Sequence, residues 1–325
     1  MVARARSSAE DLSASRALLA GASPRGGPIV LALNRSAAAG GAAPAIYCVH
    51  SISGAGGSDF LPLARRLGEA VRVFGLQAPP GRMAQASFGA SVPSLAALYA
   101  GAILETQPAA ELVVAGWSAG ASIALEIAQQ LRALDREVSL LVAFEGAPEI
   151  PRAGLRPWDP RYLLAVAVQL PAWLRDMRAT GLRVQVRAVL RRLRALAARF
   201  GGRALVREPE AAVGLAGYVD LADYPPAQRR FMTRLYHAIM AYEPAPWDGP
   251  VVVYEASITP ALRLPQYLAR WRWVAPQAQG VTLEGNHVTI MREPRVADLA
   301  NDLRARILGA APAAQAPGRA AAAAS

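Results

Sequence analysis

The sequence predicts an α/β fold: a mostly parallel sheet with helices on both faces and a helical insertion. Two patterns predict it. Short apolar runs recur along the chain with helical stretches between them. Several of those runs are apolar throughout, as strands buried on both faces of a parallel sheet must be, and alternation of the two kinds of segment selects a layered α/β architecture. Composition agrees: of 325 residues 53% are hydrophobic, enough for a sizeable core and too many for a disordered chain.

Taken in order, the strand candidates are IVLAL (29–33), AIYCVH (45–50), VRVFGL (71–76), LVVAGW (112–117), SLLVAF (139–144), VVVYEA (251–256) and GVTLEG (280–285). Helix candidates lie at 60–70, 91–107, 119–136, 265–274 and 294–308. In the last, Val296, Leu299, Leu303 and Ile307 recur at spacings of three and four and form one apolar stripe. Between about 151 and 235 the alternation stops. That stretch is helical in pattern, with arginines at 175, 178, 183, 187, 191, 192, 194 and 199. An insertion there is well placed to form a lid over the carboxyl edge of the sheet, although a helical pair with solvated arginine faces explains the charges equally well. The ends are low in complexity, Ala/Gly/Ser/Pro-rich around 20–44 and again from 309, and read as solvated tails. The expected organisation is a tail at 1–27, a first core part at 28–150, the lid at 151–235, a second core part at 236–308, and a disordered tail at 309–325.

Several function classes are disfavoured at this point. One cysteine, Cys48, rules out an intramolecular disulfide framework and a CxxC zinc site, and three histidines argue against a His-rich metal cluster. The net charge of +11 comes entirely from arginine, because none of the 35 basic residues is lysine. Such a bias raises the charge without requiring a nucleic-acid partner, and no basic stripe interleaved with aromatics accompanies it. The uncharged run at 83–104 is apolar only over 92–104, too short to span a bilayer. The Arg- and Ser-rich start contains Glu10 and Asp11, unlike a transit peptide, and has no apolar core for secretion. A cytoplasmic protein without nucleic-acid or membrane partners is expected.

The strongest local signal is GWSAG at 116–120, between the strand LVVAGW and the helical run ASIALEIAQQLRAL. G-x-S-x-G in a strand–turn–helix setting lifts a serine hydroxyl above a sheet edge, and its small residues let strand and helix approach. Ser118 is the nucleophile candidate, and the amide of Ala119 at the helix start is an oxyanion donor. A serine hydroxyl needs a base. Of His50, His237 and His287, only His287 lies in a loop after the last strand and before the last helix, where an α/β-hydrolase places it. His50 reads as a strand-end residue shaping a turn, and His237 as a packed or capping helix residue. For the acid, Glu145 ends the strand after the GWSAG turn and Glu255 ends the strand nearer the histidine; the residues alone leave both open.

These motifs together resemble the thioesterase domain family of non-ribosomal peptide and polyketide synthases, members of the α/β-hydrolase superfamily. The matching stretches are IYCVHSISGAGG, PLARRL, GWSAG, LLVAF with its following acid, YEPAPWDGPVVVYEA and GNHVTIMREPRVADL, covering most of 45–305. The resemblance implies a serine thioesterase that hydrolyses or cyclises an acyl or peptidyl thioester borne on the phosphopantetheine of a carrier protein, with no cofactor or metal of its own. It implies Glu145 as the acid, a position where the family has aspartate, and the amide of Ile52 as second oxyanion donor. It departs from the family in reading GNH where Gly-Asp-His is usual, and His50-Ser51 where His-Pro is usual. Other readings are an esterase or acyltransferase acting on free small molecules, and a non-catalytic carrier-binding module.

Overall fold

In the computed structural model, residues 27–106, 112–148, 221–258 and 267–309 are described. Of the lid candidate at 151–235, residues 151–220 with the arginines from 175 to 199 lie outside them, as do most of both tails. Seven strands form one sheet: β1 (Val30–Ala32), β2 (Ala45–Val49), β3 (Arg72–Leu76), β4 (Leu112–Trp117), β5 (Val138–Phe144), β6 (Val251–Ala256) and β7 (Gln279–Leu283). Their spatial order is β1-β3-β2-β4-β5-β6-β7. Only β1 runs antiparallel, pairing Val30 with Leu76; every other neighbour pair is parallel.

Alternation of side chains along each strand separates two cores. Tyr47 and Val49 of β2, with Val114 of β4, face one apolar cluster. Ile46, Cys48, Val113 and Trp117 face the other. The first cluster is roofed by α4 (Val92–Thr106), α5 (Gly120–Arg132), α6 (Pro226–Met240) and Trp271 of α7 (Tyr267–Val274). The second is roofed by α2 (Leu61–Leu67) and α8 (Val296–Ile307), whose Val296, Leu299, Leu303 and Ile307 are all buried. The stripe read from sequence is therefore the buried face of α8. Cys48, fully buried, has its thiol pKa pushed up by desolvation.

The segment from 29 to 44 is built into the fold rather than forming a solvated tail. Asn34 explains why. Its side-chain amide donates to the carbonyls of Gly68 and Val71 at 2.7 and 2.8 Å, while its Oδ1 accepts from the amides of Ala37 and Val73. This caps the short helix α1 (Arg35–Ala39) and ties it to the sheet, which a composition rich in alanine and glycine does not reveal. The short α3 (Pro80–Met83) follows β3. Helix α6 runs through the expected lid boundary at 235. It packs on α3 and α4 through buried Phe231, Met232 and Leu235, and Arg234 donates to the carbonyls of Met83 and Phe88.

The strand order leaves β2 with β3 on one side and β4 on the other. Connections from β2 and β4 thus diverge at their carboxyl ends, where an open α/β sheet forms a crevice.

Candidate active site

At that edge β4 runs into a sharp turn. Ser118 has φ of 56°, in the left-handed region that a non-glycine residue occupies only when its surroundings force it. A Cβ on Gly116 would lie 2.2 Å from the carbonyl oxygen of Gly120, and one on Gly120 would lie 2.5 Å from that of His50. The two glycines of the motif are therefore required by backbone against backbone. The Ser118 amide donates to the carbonyl of Phe144 at 2.9 Å, fixing the turn to the end of β5.

The next residue, Glu145, also adopts a positive φ, 49°. Its neighbour Gly146 passes so close to Ser118 that a Cβ would lie 2.2 Å from the serine carbonyl. Trp271 of α7 anchors this loop from outside, its indole N–H donating to the Gly146 carbonyl at 2.9 Å. Glu145 is 1% exposed, and its two oxygens have separate duties. Oε1 accepts from the backbone amide of Ala256 at the end of β6, and Oε2 lies 3.3 Å from Nδ1 of His287. A carboxylate held in this way fixes the ring's tautomer and orientation.

His287 sits in a loop shaped by its neighbours. Asn286 Oδ1 accepts from the amides of Val288 and Thr289, each at 2.9 Å, and Thr289 Oγ1 accepts from the Asn286 amide at 2.8 Å. Asparagine thus supplies the oxygen acceptor that aspartate would supply in the usual Gly-Asp-His. The imidazole stacks on Trp117, with centroids 5.7 Å apart and planes at 29°. Its side chain remains 34% exposed. Ser118, Glu145 and His287 therefore converge at one edge. Glu145 and His287 are in contact, whereas among the described residues the Ser118 hydroxyl makes no hydrogen bond.

The competing acid is engaged elsewhere. Glu255 Oε1 accepts from the Leu268 amide at 3.1 Å, capping the start of α7, and burial first, with the charge of Glu145 adding, raises its pKa. Of the other histidines, His237 is exposed on α6 rather than packed. His50 is fully buried at the end of β2, with its pKa lowered to about 4 by desolvation. Ala119 stands at the start of α5, and Ile52 lies in the turn after β2; among the described residues neither amide has a hydrogen-bond partner. The Ala256 amide, Trp271 and the Trp117 stack escaped sequence reasoning. They act through pairings distant in sequence and carry no local signal.

Among the described residues no helix is long and apolar enough to cross a membrane. A family model described as thioesterase domain matches residues 44–219. No curated protein sequence matches the chain. Solved structures share its fold. A holo four-domain nonribosomal peptide synthetase bound to AMP and glycine aligns at 22% identity over 85% of this chain and 20% of its own, with a TM-score of 0.55. The NocB thioesterase domain from the nocardicin cluster aligns at 22% identity over 86% of this chain and 99% of its own, with a TM-score of 0.53. The Vlm2 thioesterase domain bound with a dodecadepsipeptide aligns at 17% identity over 86% and 97%, with a TM-score of 0.50. These likenesses establish the α/β-hydrolase type of fold.

Proposed function

Because this chain belongs to the thioesterase domain family, we propose that Ser118, His287 and Glu145 form its catalytic triad and that its substrate is an acyl or peptidyl thioester on a carrier protein. The observation that carries the reading is the pairing of Glu145 Oε2 with His287 Nδ1 beside the strained turn of Ser118. With Nδ1 facing the carboxylate, Nε2 is the basic atom and takes the proton from Ser118 Oγ as it attacks the thioester carbonyl. The tetrahedral oxyanion is met by the amides of Ala119 and Ile52, worth about 3–4 kcal/mol per donor in comparable serine hydrolases. Collapse expels the thiol of the phosphopantetheine arm, which leaves with the proton from His287. Water, or a nucleophile within the acyl chain, then gives its proton to His287 and releases an acid or a macrocycle, regenerating Ser118. The protein's groups suffice for this chemistry, with the phosphopantetheine belonging to the substrate. A cytoplasmic setting fits a protein with one buried cysteine.

A fluorophosphonate should label the protein once, on Ser118, as read by peptide mass spectrometry. Labelling should vanish in Ser118→Ala and slow strongly in His287→Ala. Full labelling of Ser118→Ala would sink the assignment. For the carrier, the same acyl chain is offered on a phosphopantetheinylated carrier and on N-acetylcysteamine. A higher kcat/KM on the carrier is expected, and equal values would return the protein to the class acting on free thioesters.

A further inference from the structure

We infer that His50, fixed by Tyr99, is a positioning residue for the Ile52 amide, holding the peptide whose N–H is the second donor to the oxyanion. The inference rests on the acyl-transfer reading above and extends it to two residues outside the triad.

The geometry is local and closed. Nδ1 of His50 lies 2.6 Å from the carbonyl oxygen of Ser51, and Nε2 lies 2.6 Å from the hydroxyl of Tyr99 on α4. A carbonyl oxygen only accepts, so Nδ1 carries the proton and donates. In a neutral ring Nε2 is then the acceptor, and the Tyr99 hydroxyl donates to it. Complete burial, which lowers the ring's pKa to about 4, keeps it neutral. Tyr99 and Phe231 close around the ring edge-on, at centroid distances of 5.7 and 6.0 Å. The main chain of His50 is in turn pressed against Gly120 at the start of α5, so the ring is referenced to the helix that carries the Ala119 amide.

What the ring holds is the Ser51–Ile52 peptide. A trans peptide is planar, and its N–H points opposite to its C=O. Fixing the Ser51 carbonyl therefore fixes the direction of the Ile52 N–H. The same carbonyl accepts from the Gly54 amide at 3.1 Å, closing a tight turn. Gly54 there has φ of 82°, and a Cβ on it would lie 2.8 Å from Met83. The rest of the turn is fastened as well. Gln228 of α6 donates to the Ser53 carbonyl at 2.7 Å, and the Ala78 amide donates to the Gly54 carbonyl at 2.9 Å. A proline after the histidine would stiffen this position covalently; with serine at 51, the bond from His50 supplies the restraint.

Two substitutions separate positioning from packing. The amide nitrogen of asparagine takes the place of Nδ1, and that of glutamine the place of Nε2. His50→Asn retains a donor to Ser51 and loses Tyr99, whereas His50→Gln fills more of the ring's space, reaches Tyr99 and loses the donor. With an acyl thioester of N-acetylcysteamine, His50→Gln should lower kcat about fifty-fold with little change in KM. His50→Asn should stay within about five-fold of the parent, and Tyr99→Phe should lose a few-fold in kcat. A purely structural role predicts the reverse order, with glutamine the milder change. Glutamine as active as asparagine, or losses falling on KM, would overturn the inference. Replacing the Ile52 amide by an ester through an α-hydroxy acid removes the N–H itself and should match or exceed the His50→Gln loss; it carries the test if His50→Gln does not fold. An ester without effect removes both Ile52 and His50 from the mechanism while leaving the triad standing. If Ser118→Ala retains turnover, the triad itself fails.

Discussion

Two histidines reach the same sheet edge and are built in opposite ways. His287 follows β7 in a loop, is about one-third exposed, and touches one carboxylate and one indole. His50 ends β2, is fully buried, and has both ring nitrogens engaged by partners of fixed polarity. The difference fits the roles proposed for the two rings, base and strut. A base must gain and lose a proton, so one nitrogen has to remain free for the reacting groups and the charged form has to be tolerated. A strut must keep one protonation state, which burial and two hydrogen bonds enforce. Counting histidines gives no hint of this division; position after a strand and depth beneath helices supply it.

The sharpest break of this comparison lies in His287. His287→Ala should lower kcat by about ten-thousand-fold or more, because without the base the serine hydroxyl remains protonated. Glu145→Gln should cost nearly as much, since an amide at Oε2 cannot hold the imidazolium that forms. Single-turnover kinetics on a small thioester reads both losses. In the double variant the effects should be far from additive, as the proposed triad requires of side chains that act as a unit. Additive losses would show that Glu145 and His287 serve separate purposes.

The second test concerns charge in the other ring, and its sign is fixed. Below pH 6.5 an unfolded His50 takes up a proton, while the folded ring does so only near its lowered pKa of about 4. The unfolded state thus binds more protons between those values. The stability His50 contributes is complete above about pH 6.5 and is lost as pH falls toward 4, by about 3 kcal/mol in all. Asp59 and Glu255, whose pKa values burial raises, act in the opposite direction. They are common to the parent and to His50→Asn, so subtracting their urea-unfolding curves at pH 7, 6, 5 and 4.5 isolates the histidine. The parent should approach the variant in stability, or fall below it, as pH drops. Parallel curves would mean that the ring titrates normally and that its burial is without consequence.

Much of this was legible in the sequence. Continuous apolar runs locate β2 to β6 within a residue or so because both faces of those strands are buried. GWSAG announces its turn because two backbones there leave no space for a Cβ. Chain order singles out His287, which lies against Glu145. The roles of Asn34 and Tyr99 are not legible, since each depends on partners more than thirty residues away and neither residue type announces such a partner. The choice between Glu145 and Glu255 was likewise invisible in spacing: both end a central strand. What separates them is that β6 offers its Ala256 amide to one carboxylate, while α7 begins over the other.

The smallest expected effect lies beside His287, at Trp117. Its indole is 6% exposed and stacks on His287, and among the described residues its N–H has no hydrogen-bond partner. A stack of this kind contributes about 1 kcal/mol beyond area burial, enough to bias the imidazole toward the plane in which Glu145 holds it. Trp117→Phe keeps an aromatic face and removes the indole N–H; Trp117→Leu keeps an apolar side chain and removes the face. The phenylalanine variant should retain kcat within about two-fold, and the leucine variant should lose roughly five-fold with KM unchanged, about 1 kcal/mol of positioning. Thermal unfolding run beside the kinetics separates this from packing, because both variants open space in the core and should lose stability to a similar degree. Equal kcat for the two would reduce Trp117 to a filler of the second core and leave Glu145 alone to orient the base.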